Sequence, residues 1–342
     1  MASRLREAGF TFGASNVGLF WDYMSLPQEP RSASDKQTFK RALRTMNAWY
    51  GSCHVAKWVL PDLPPDATRA PYEQSGWTVF EWNVANLISP PCKVLTLAGR
   101  AHELLTGKER FEARDFITIS LMASEESRRR GPIEPDSFDK LLESLHFTNG
   151  ADKDRVVRPK YKEAFQTVVD GAQAVSFNTF NMEAEAAEKA LQVVLRNCPH
   201  LESLDAAVNP QWDKELEALV DAIVASPCTV RHLNLSRTKV HGDLKCVSKL
   251  EDLQTLDLGA ATKVHGAVTC LAQLKDMREL TLARTAVRAD LKDLKGMPNL
   301  KQLRRLHLSS AKNVMGDLAG LSSFVGLEML RLDNTQVTGD VM

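Results

Sequence analysis

The fold is decided by a phrase that occupies residues 230–244, VRHLNLSRTKVHGDL, and returns four more times along the chain. The later copies read LQTLDLGAATKVHGAV, MRELTLARTAVRADL, LRRLHLSSAKNVMGDL and LEMLRLDNTQVTGDV. The first leucine of each LxL pair follows the previous one by 23, 24, 26 and 24 residues, at Leu233, Leu256, Leu280, Leu306 and Leu330. Tandem copies at such a period indicate stacked structural repeats, each burying its apolar face against its neighbours.

The phrase resembles the leucine-rich-repeat consensus LxxLxLxxN, which implies an α/β horseshoe with a parallel sheet on its concave side. Because side chains alternate along a strand, both leucines of LxL point to one face and form a continuous spine. A second apolar column is expected at Val240, Val264, Val287, Val314 and Val337. Two residues further on, where we expect a sharp turn, the third copy has Ala289 and the others have Gly242, Gly266, Gly316 and Gly339. Hydroxyls near the family's asparagine position could satisfy turn carbonyls; they belong to Thr238, Thr285 and Thr335.

Two longer repeats precede these five copies. Leu191, Val194 and Leu195 fit one helical face, and Leu204 lies 29 residues before Leu233. We therefore predict full helices on the convex side of these repeats and a solenoid over residues 182–342. The array stops at residues 338–342 without a polar closing element. We expect either another structure to cover that end or the chain to be a truncated version of a longer protein.

The outward side chains of the predicted concave sheet form a mixed polar surface with charges of both signs. Solenoids commonly use extended concave surfaces to bind other molecules, and this surface has no basic stripe for phosphates. We therefore predict a protein-protein interaction module or scaffold that binds a protein partner. Its predicted partner-binding residues are His232, Asn234, Asp257, Glu279, Thr281, Arg305, His307 and Arg331.

Composition limits which partners the chain is expected to bind and in which compartment it is expected to lie. The 342 residues include 43 Lys and Arg and 43 Asp and Glu, so the formal net charge is zero. This balance gives no electrostatic reason to expect nucleic acid or a membrane surface as partner. The hydrophobic fraction of 44% excludes a chain that is disordered throughout. The six cysteines include no CxxC spacing, so we predict reduced thiols, no bound metal and a cytoplasmic location.

Residues 1–100 alternate strand and helix patterns, which predicts a small α/β domain with a parallel sheet. Strands are predicted at residues 17–25, 54–60 and 92–97, and helices at 39–50 and 76–89. Residues 101–181 are predicted to be a helical connector, with a turn at Asn149–Gly150.

The order of motifs in the first domain resembles part of a Toll/interleukin-1 receptor (TIR)-like domain. Phe20 and Asp22 stand in the family's FxD motif, while Ser75, Trp77 and Glu81 approximate its S-x-W-x-x-x-E motif. The family's NAD-cleaving members use this glutamate to assist loss of nicotinamide. The resemblance therefore implies an alternative function: an NAD-cleaving enzyme with Glu81 as catalytic carboxylate and the repeats as sensor or oligomerisation element. The family's first strand and helix would lie before residue 17, where the sequence shows no such strand.

Two further segments, WDYMSLPQ (residues 21–28) and FTNGADKDRV (residues 147–156), are similar to segments of uncharacterised algal proteins that also end in leucine-rich repeats. That resemblance implies a whole-chain family and brings no activity with it. The sequence contains no HExxH, GxSxG, GxGxxG or phosphate-loop motif. The preferred interpretation is therefore a binding protein without enzymatic activity and without a cofactor.

Overall fold

The computed structural model describes residues 25–27, 29–52, 54–63, 68, 70–90, 93–98, 131–178, 183–297 and 302–339. These residues divide into two compact units. The first contains the described residues up to 98 together with Ile133–Val168, and the second contains the chain from Val169 onward. The strand predicted at residues 17–25 lies, except for its last residue, outside the described residues, as do Phe20 and Asp22.

The first unit contains a two-stranded parallel sheet, as the alternating pattern predicts. Strand β1 pairs in parallel with β2, and each lies within a predicted strand segment. The two helices predicted in this region are also present with shifted ends. In chain order the elements are α1 (Ala33–Gly51), β1 (Lys57–Val59), α2 (Gly76–Ala85) and β2 (Val94–Thr96).

One helix of the predicted connector, and a second one up to Val168, belong to this first unit. Helices α3 (Pro135–Leu142) and α4 (Arg158–Asp170) contribute the buried aromatic rings of Phe138 and Tyr161, which stack with their centroids 3.7 Å apart. Phe80 of α2 lies 6.5 Å from the Phe138 ring. The apolar stripes of these helices indicate that they are buried, but the sequence does not show against which element. The structure therefore differs from the predicted separate connector.

The second unit contains a parallel sheet of seven strands, which we call the long sheet. Its strands pair in the order in which the repeats follow each other. At all four pairings between the five predicted LxL copies, the first leucine of one copy faces the first leucine of the next, so the predicted register is confirmed. The strands are β3 (Ala174–Ser176), β4 (Ser203–Asp205), β5 (His232–Asn234), β7 (Thr255–Asp257), β9 (Glu279–Thr281), β11 (Arg305–His307) and β13 (Met329–Arg331).

The long sheet begins before the predicted start of the solenoid at residue 182. Strand β3 pairs in parallel with β4 and places Val175 opposite Leu204, within the range predicted to be a helical connector. The full helices predicted for the longer repeats are present as α5 (Ala184–Asn197) and α6 (Leu216–Val224). Their predicted apolar faces are buried, including Leu191, Val194 and Leu195.

A second parallel sheet, the short sheet, replaces the sharp turn that we expected at the valine and glycine positions. The valines of its first four copies are fully buried, as predicted, but each lies in or next to a strand. Three of the glycines lie in these strands and Gly339 directly follows β14, all with left-handed φ angles between 104° and 119°. The sequence pattern of glycine beside aspartate is typical of turns, which explains the wrong prediction. The strands are β6 (His241–Asp243), β8 (Lys263–Ala267), β10 (Ala286–Asp290), β12 (Asn313–Asp317) and β14 (Gln336–Thr338).

Hydroxyl and amide side chains bond the backbone between the two strands of a repeat. The predicted role of the threonines is confirmed, since Thr238 and Thr285 donate to the carbonyls of Leu235 and Leu282 at 2.6 Å. The upstream repeat carries the consensus residue itself. Buried Asn209 donates from its amide to three carbonyl oxygens, those of Phe177, Ala206 and Ala207.

Candidate functional site

The outer face of the long sheet, which we call the strand face, is formed by the residues on either side of each spine leucine. Because the strands pair in register, these residues form two columns that cross the repeats. All eight predicted partner-binding residues lie on this face and are partly or fully exposed. The first column contains Ser203, His232, Thr255, Glu279, Arg305 and Met329, and the second contains Asp205, Asn234, Asp257, Thr281, His307 and Arg331.

Side chains of the first column interact mainly with each other. His232 Nδ1 lies 2.7 Å from the hydroxyl oxygen of Thr255. Farther along the sheet, the Arg305 guanidinium forms an ion pair with Glu279 at 3.3 Å. Neighbouring strands thus hold these side chains in place, and the charge of Glu279 is compensated by Arg305 of the same column, on the adjacent strand.

The carboxylates of the second column bond to neutral groups. Asp205 accepts hydrogen bonds from the Ser176 hydroxyl at 3.2 Å and from the N–H of Ala207 at 3.0 Å. Asp257 accepts from the N–H of Gly259 at 2.8 Å. Burial raises the pKa of Asp257, while the Gly259 N–H and the nearby His307 lower it. Burial is the largest cause, so the ionised form of this carboxylate is held on the face at an energetic cost.

A third row of side chains, which the sequence did not reveal, borders the carboxyl ends of the strands. In each repeat the residue four positions after the spine leucine has a left-handed φ between 55° and 63°. This conformation lets its N–H bond to the next repeat, as Arg237 does to the Gly259 carbonyl at 2.7 Å. Arginine, alanine and serine have no preference for this conformation, so only the fixed offset could have signalled it. The row consists of Val208, Arg237, Ala260, Arg284, Ser310 and Asn334.

Two open depressions lie next to each other on this surface and share Asp257 and Thr281. The first, of about 230 Å³, also includes Asp205, His232 and Glu279, and we call it the acidic depression. The second, of about 570 Å³, also includes residues from the third row, and we call it the arginine depression. Its charged and imidazole side chains are Arg237, Arg284, Arg331, His307, Asp257 and Asp333.

The structure describes Trp77 and Glu81 of the second TIR-like motif, and both interact with other residues of the first unit. Trp77 packs edge-on against Phe80 and donates from its indole N–H to Asp152 at 3.3 Å. Glu81 lies half-buried on α2, close enough to Tyr72 to raise its pKa, which burial raises more strongly. The other motif of that resemblance lies outside the described residues, so the role of Glu81 stays a prediction.

In the part of the chain that the structure describes, no group of three or more His, Cys, Asp and Glu side chains is placed to hold a metal ion. Among the same residues, no helix is both long and apolar enough to cross a membrane.

No family model and no curated protein matches the chain. Solved structures with a similar fold include an internalin C2 from Listeria monocytogenes, with 20% identity over 52% of this chain and 77% of that one and a TM-score of 0.36. The Arabidopsis receptor kinase HAESA, solved with the peptide hormone IDA and the co-receptor SERK1, is 18% identical over 49% of this chain and 31% of that one, with a TM-score of 0.38.

A third structure is the LRR ectodomain of the Arabidopsis receptor kinase GASSHO1/SCHENGEN3, solved with CASPARIAN STRIP INTEGRITY FACTOR 2. It is 16% identical over 53% of this chain and 23% of that one, with a TM-score of 0.35. This chain thus spans less than a third of the length of either plant receptor. The leucine-rich-repeat fold of the second unit rests on its own evenly spaced, buried leucine spine. The TIR-like and algal resemblances stay predictions.

Proposed function

We propose that the chain is a protein-binding module that holds a protein partner on the strand face of its leucine-rich repeats. The observation that carries this proposal is the contrast between the two sides of each strand. The inner side is leucine in nearly every repeat, whereas the outer side differs from repeat to repeat in charge and hydrogen-bonding capacity. Stacking requires the first regularity and leaves the outer positions available for recognition.

The outer positions also form a surface that suits a protein. Depressions of about 230 and 570 Å³ lie among charged and polar side chains of both signs. Protein interfaces combine such polar contacts with trapped water and do not need a uniformly apolar patch. We further propose a cytoplasmic location, which is supported by the cysteines that the structure describes, since Cys198, Cys228, Cys246 and Cys270 are all free thiols.

The test compares two double variants of the full chain in a pull-down from cell extract. We expect His307→Ala/Arg331→Ala to weaken capture of specific partners, because both side chains project from the strand face. The matched control is His265→Ala/Arg288→Ala, which removes the same residue types from exposed positions on the short sheet. Mass spectrometry would quantify each retained protein, and thermal melting would show that both variants fold.

Proteins that are retained by the wild type and the control but lost from the strand-face variant would support the proposal. Equal retention by all three would contradict it. A loss of folding in the strand-face variant, without a separable loss of capture, would also count against a functional strand face.

A further inference from the structure

The acidic and the arginine depressions give the strand face a pattern of carboxylates and guanidinium groups that form no direct ion pairs with one another. Other charges of the long sheet are paired within it, such as Arg231 with Glu202 at 2.9 Å and Arg305 with Glu279 at 3.3 Å. In contrast, no ion pair connects Asp205 or Asp257 to any other residue that the structure describes. The face therefore keeps two carboxylates without a direct ion pair at one place, although Arg237 and His307 act on Asp257 from a longer distance.

Arginine side chains without a direct ion pair lie in the adjacent arginine depression. The guanidinium groups of Arg237, Arg284 and Arg331 form no ion pair or hydrogen bond with a side chain in the described part of the chain. Arg237 and Arg284 belong to the left-handed row and are exposed. The carboxylate of Asp333, which lies in the same depression, is held by the Ser309 hydroxyl, and this hydrogen bond lowers its pKa.

We propose that the strand face binds an extended peptide segment with a basic side chain at one end and acidic side chains at the other. This inference rests on the proposed function and names the chemistry of its partner. The basic side chain binds in the acidic depression, between Asp205 and Asp257. The acidic side chains bind in the arginine depression, where Arg237 and Arg284 supply donors that suit carboxylates.

The dimensions of the sheet set the length of this segment. Strands β4 to β13 are separated by five inter-strand spacings, each of about 4.8 Å, or about 24 Å in all. An extended chain advances about 3.3 Å per residue, so about seven residues cross the face. A nucleic acid or another uniform polyanion fits poorly, because Asp205, Asp257, Glu279 and Asp333 would repel it.

The experiment selects binders from a phage-displayed library of random twelve-residue peptides on the immobilised full chain. We expect the enriched peptides to contain Lys or Arg separated by about three to six residues from Asp or Glu. The variant Arg237→Gln/Arg284→Gln should lose the preference for acidic residues and retain the preference for basic ones. Asp205→Asn/Asp257→Asn should do the reverse. Fluorescence polarisation with one enriched peptide should show about tenfold weaker binding for each variant.

A matched control changes charge elsewhere on the same unit. Lys263→Gln/Arg288→Gln removes two exposed cations from the short sheet and should leave peptide affinity within about twofold of the wild type. Thermal melting would check folding of all variants. If a double variant fails to fold, the single changes Arg284→Gln and Asp205→Asn give the same comparison.

The outcomes separate this inference from the proposed function. Enriched peptides without charge, which still lose affinity in His307→Ala/Arg331→Ala, would overturn the inference and leave the proposed function standing. No enrichment over the library would overturn the inference alone, because the proposed function is tested by protein capture. Peptide binding that no strand-face variant weakens, together with equal protein capture by the wild type and His307→Ala/Arg331→Ala, would overturn both. Displacement of the peptide by single-stranded DNA at lower concentration than by the free peptide would overturn the inference in favour of a polyanion.

Discussion

The two sheets of the repeat array achieve the same stacking in different ways. In the long sheet, the feature that repeats is a side chain, because a leucine faces a leucine from β5 to β13. The backbone conformation of these strands is ordinary. In the short sheet, the regular feature is the backbone, because a glycine with left-handed φ lies in each of β6, β8 and β12, and another directly follows β14. The long sheet therefore tolerates variation on its outer side, whereas the short sheet depends on single glycine residues.

The reason for the glycines lies in the preceding repeat. Asp243, Asp290 and Asp317 each cap the helical turn that follows their strand by accepting from a backbone N–H. A Cβ on the glycine of the next repeat would lie between 2.4 and 3.1 Å from that carboxylate oxygen. Where the capping position is Ala267, the next repeat has Ala289 instead of glycine. Glycine and aspartate thus occur as three pairs across neighbouring repeats, and alanine replaces both together in one repeat. Gly242 is the exception, because the preceding repeat has Glu215 at the capping position.

The largest expected effect on stability comes from a substitution in the leucine spine of the long sheet. Leu256 is 1% exposed in the spine, so Leu256→Asp places a charge where no partner is available and should cost about 3–5 kcal/mol. Leu330→Asp, at the equivalent position of β13, should cost much less because Leu330 is 39% exposed. Urea unfolding followed by circular dichroism measures both. An unchanged midpoint for Leu256→Asp would show that the side chain is not internal.

A smaller effect is expected from the short sheet. The φ of Gly316 is 106°, and a methyl group there would lie 2.6 Å from Asp290 Oδ1 and 2.9 Å from the backbone nitrogen of Leu291. Gly316→Ala should therefore destabilise the chain by about 2–3 kcal/mol. The double variant Asp290→Ala/Gly316→Ala reproduces the natural Ala267 and Ala289 pair. It should cost less than the sum of the two single variants in the same urea experiment, and strict additivity would contradict the pairing.

The hydrogen bonds between the two strands of a repeat should contribute less again. Thr285→Ala removes a hydroxyl that donates to the Leu282 carbonyl at 2.6 Å, and we expect a loss of about 1 kcal/mol. Natural repeats accept alanine here, since Ala261 and Ala311 occupy the same position. A loss above about 3 kcal/mol would mean that the hydroxyl has a role beyond this bond. Differential scanning calorimetry would measure the change.

The smallest expected effects concern the pH dependence of stability, which should differ between a carboxylate of the long sheet and one of the short sheet. Burial raises the pKa of Asp257, so its ionisation opposes folding at neutral pH. Asp257→Asn should raise the melting temperature slightly at pH 7, and this gain should vanish as the pH falls through the pKa of Asp257 towards about 3.9. Hydrogen bonds from Lys292 lower the pKa of Asp290, so Asp290→Asn should instead lose stability above that pH. Equal signs for the two variants would contradict the contrast.

Sequence reasoning recovered those features that repeat with the same residue type. The spine leucines recur at nearly constant spacing, so their strands, register and burial could be predicted. The short sheet could not, because a glycine followed by aspartate has the same pattern in a turn as in a strand with left-handed φ. The packing of Phe138 and Tyr161 against α2 was equally hidden, since an amphipathic stripe predicts burial without naming the partner element.

The candidate site could be predicted from the sequence only in part, for a related reason. Alternation along short strands was enough to place His307 and Arg331 on the outer face. The third row was missed because Arg237, Ala260 and Arg284 share a conformation but no side-chain chemistry. Their φ is imposed by hydrogen bonds to the next repeat, which a single repeat does not reveal.

That imposed conformation makes the third row useful for protein engineering. Because the repeat fixes the backbone there whichever side chain is present, each repeat offers one replaceable group at steps of about 4.8 Å. Changing Ala260 and Ser310 to arginine would fill the gaps between Arg237, Arg284 and Asn334 without a new loop. The binding specificity of the array could therefore be changed one residue at a time, as is done with modular binding scaffolds.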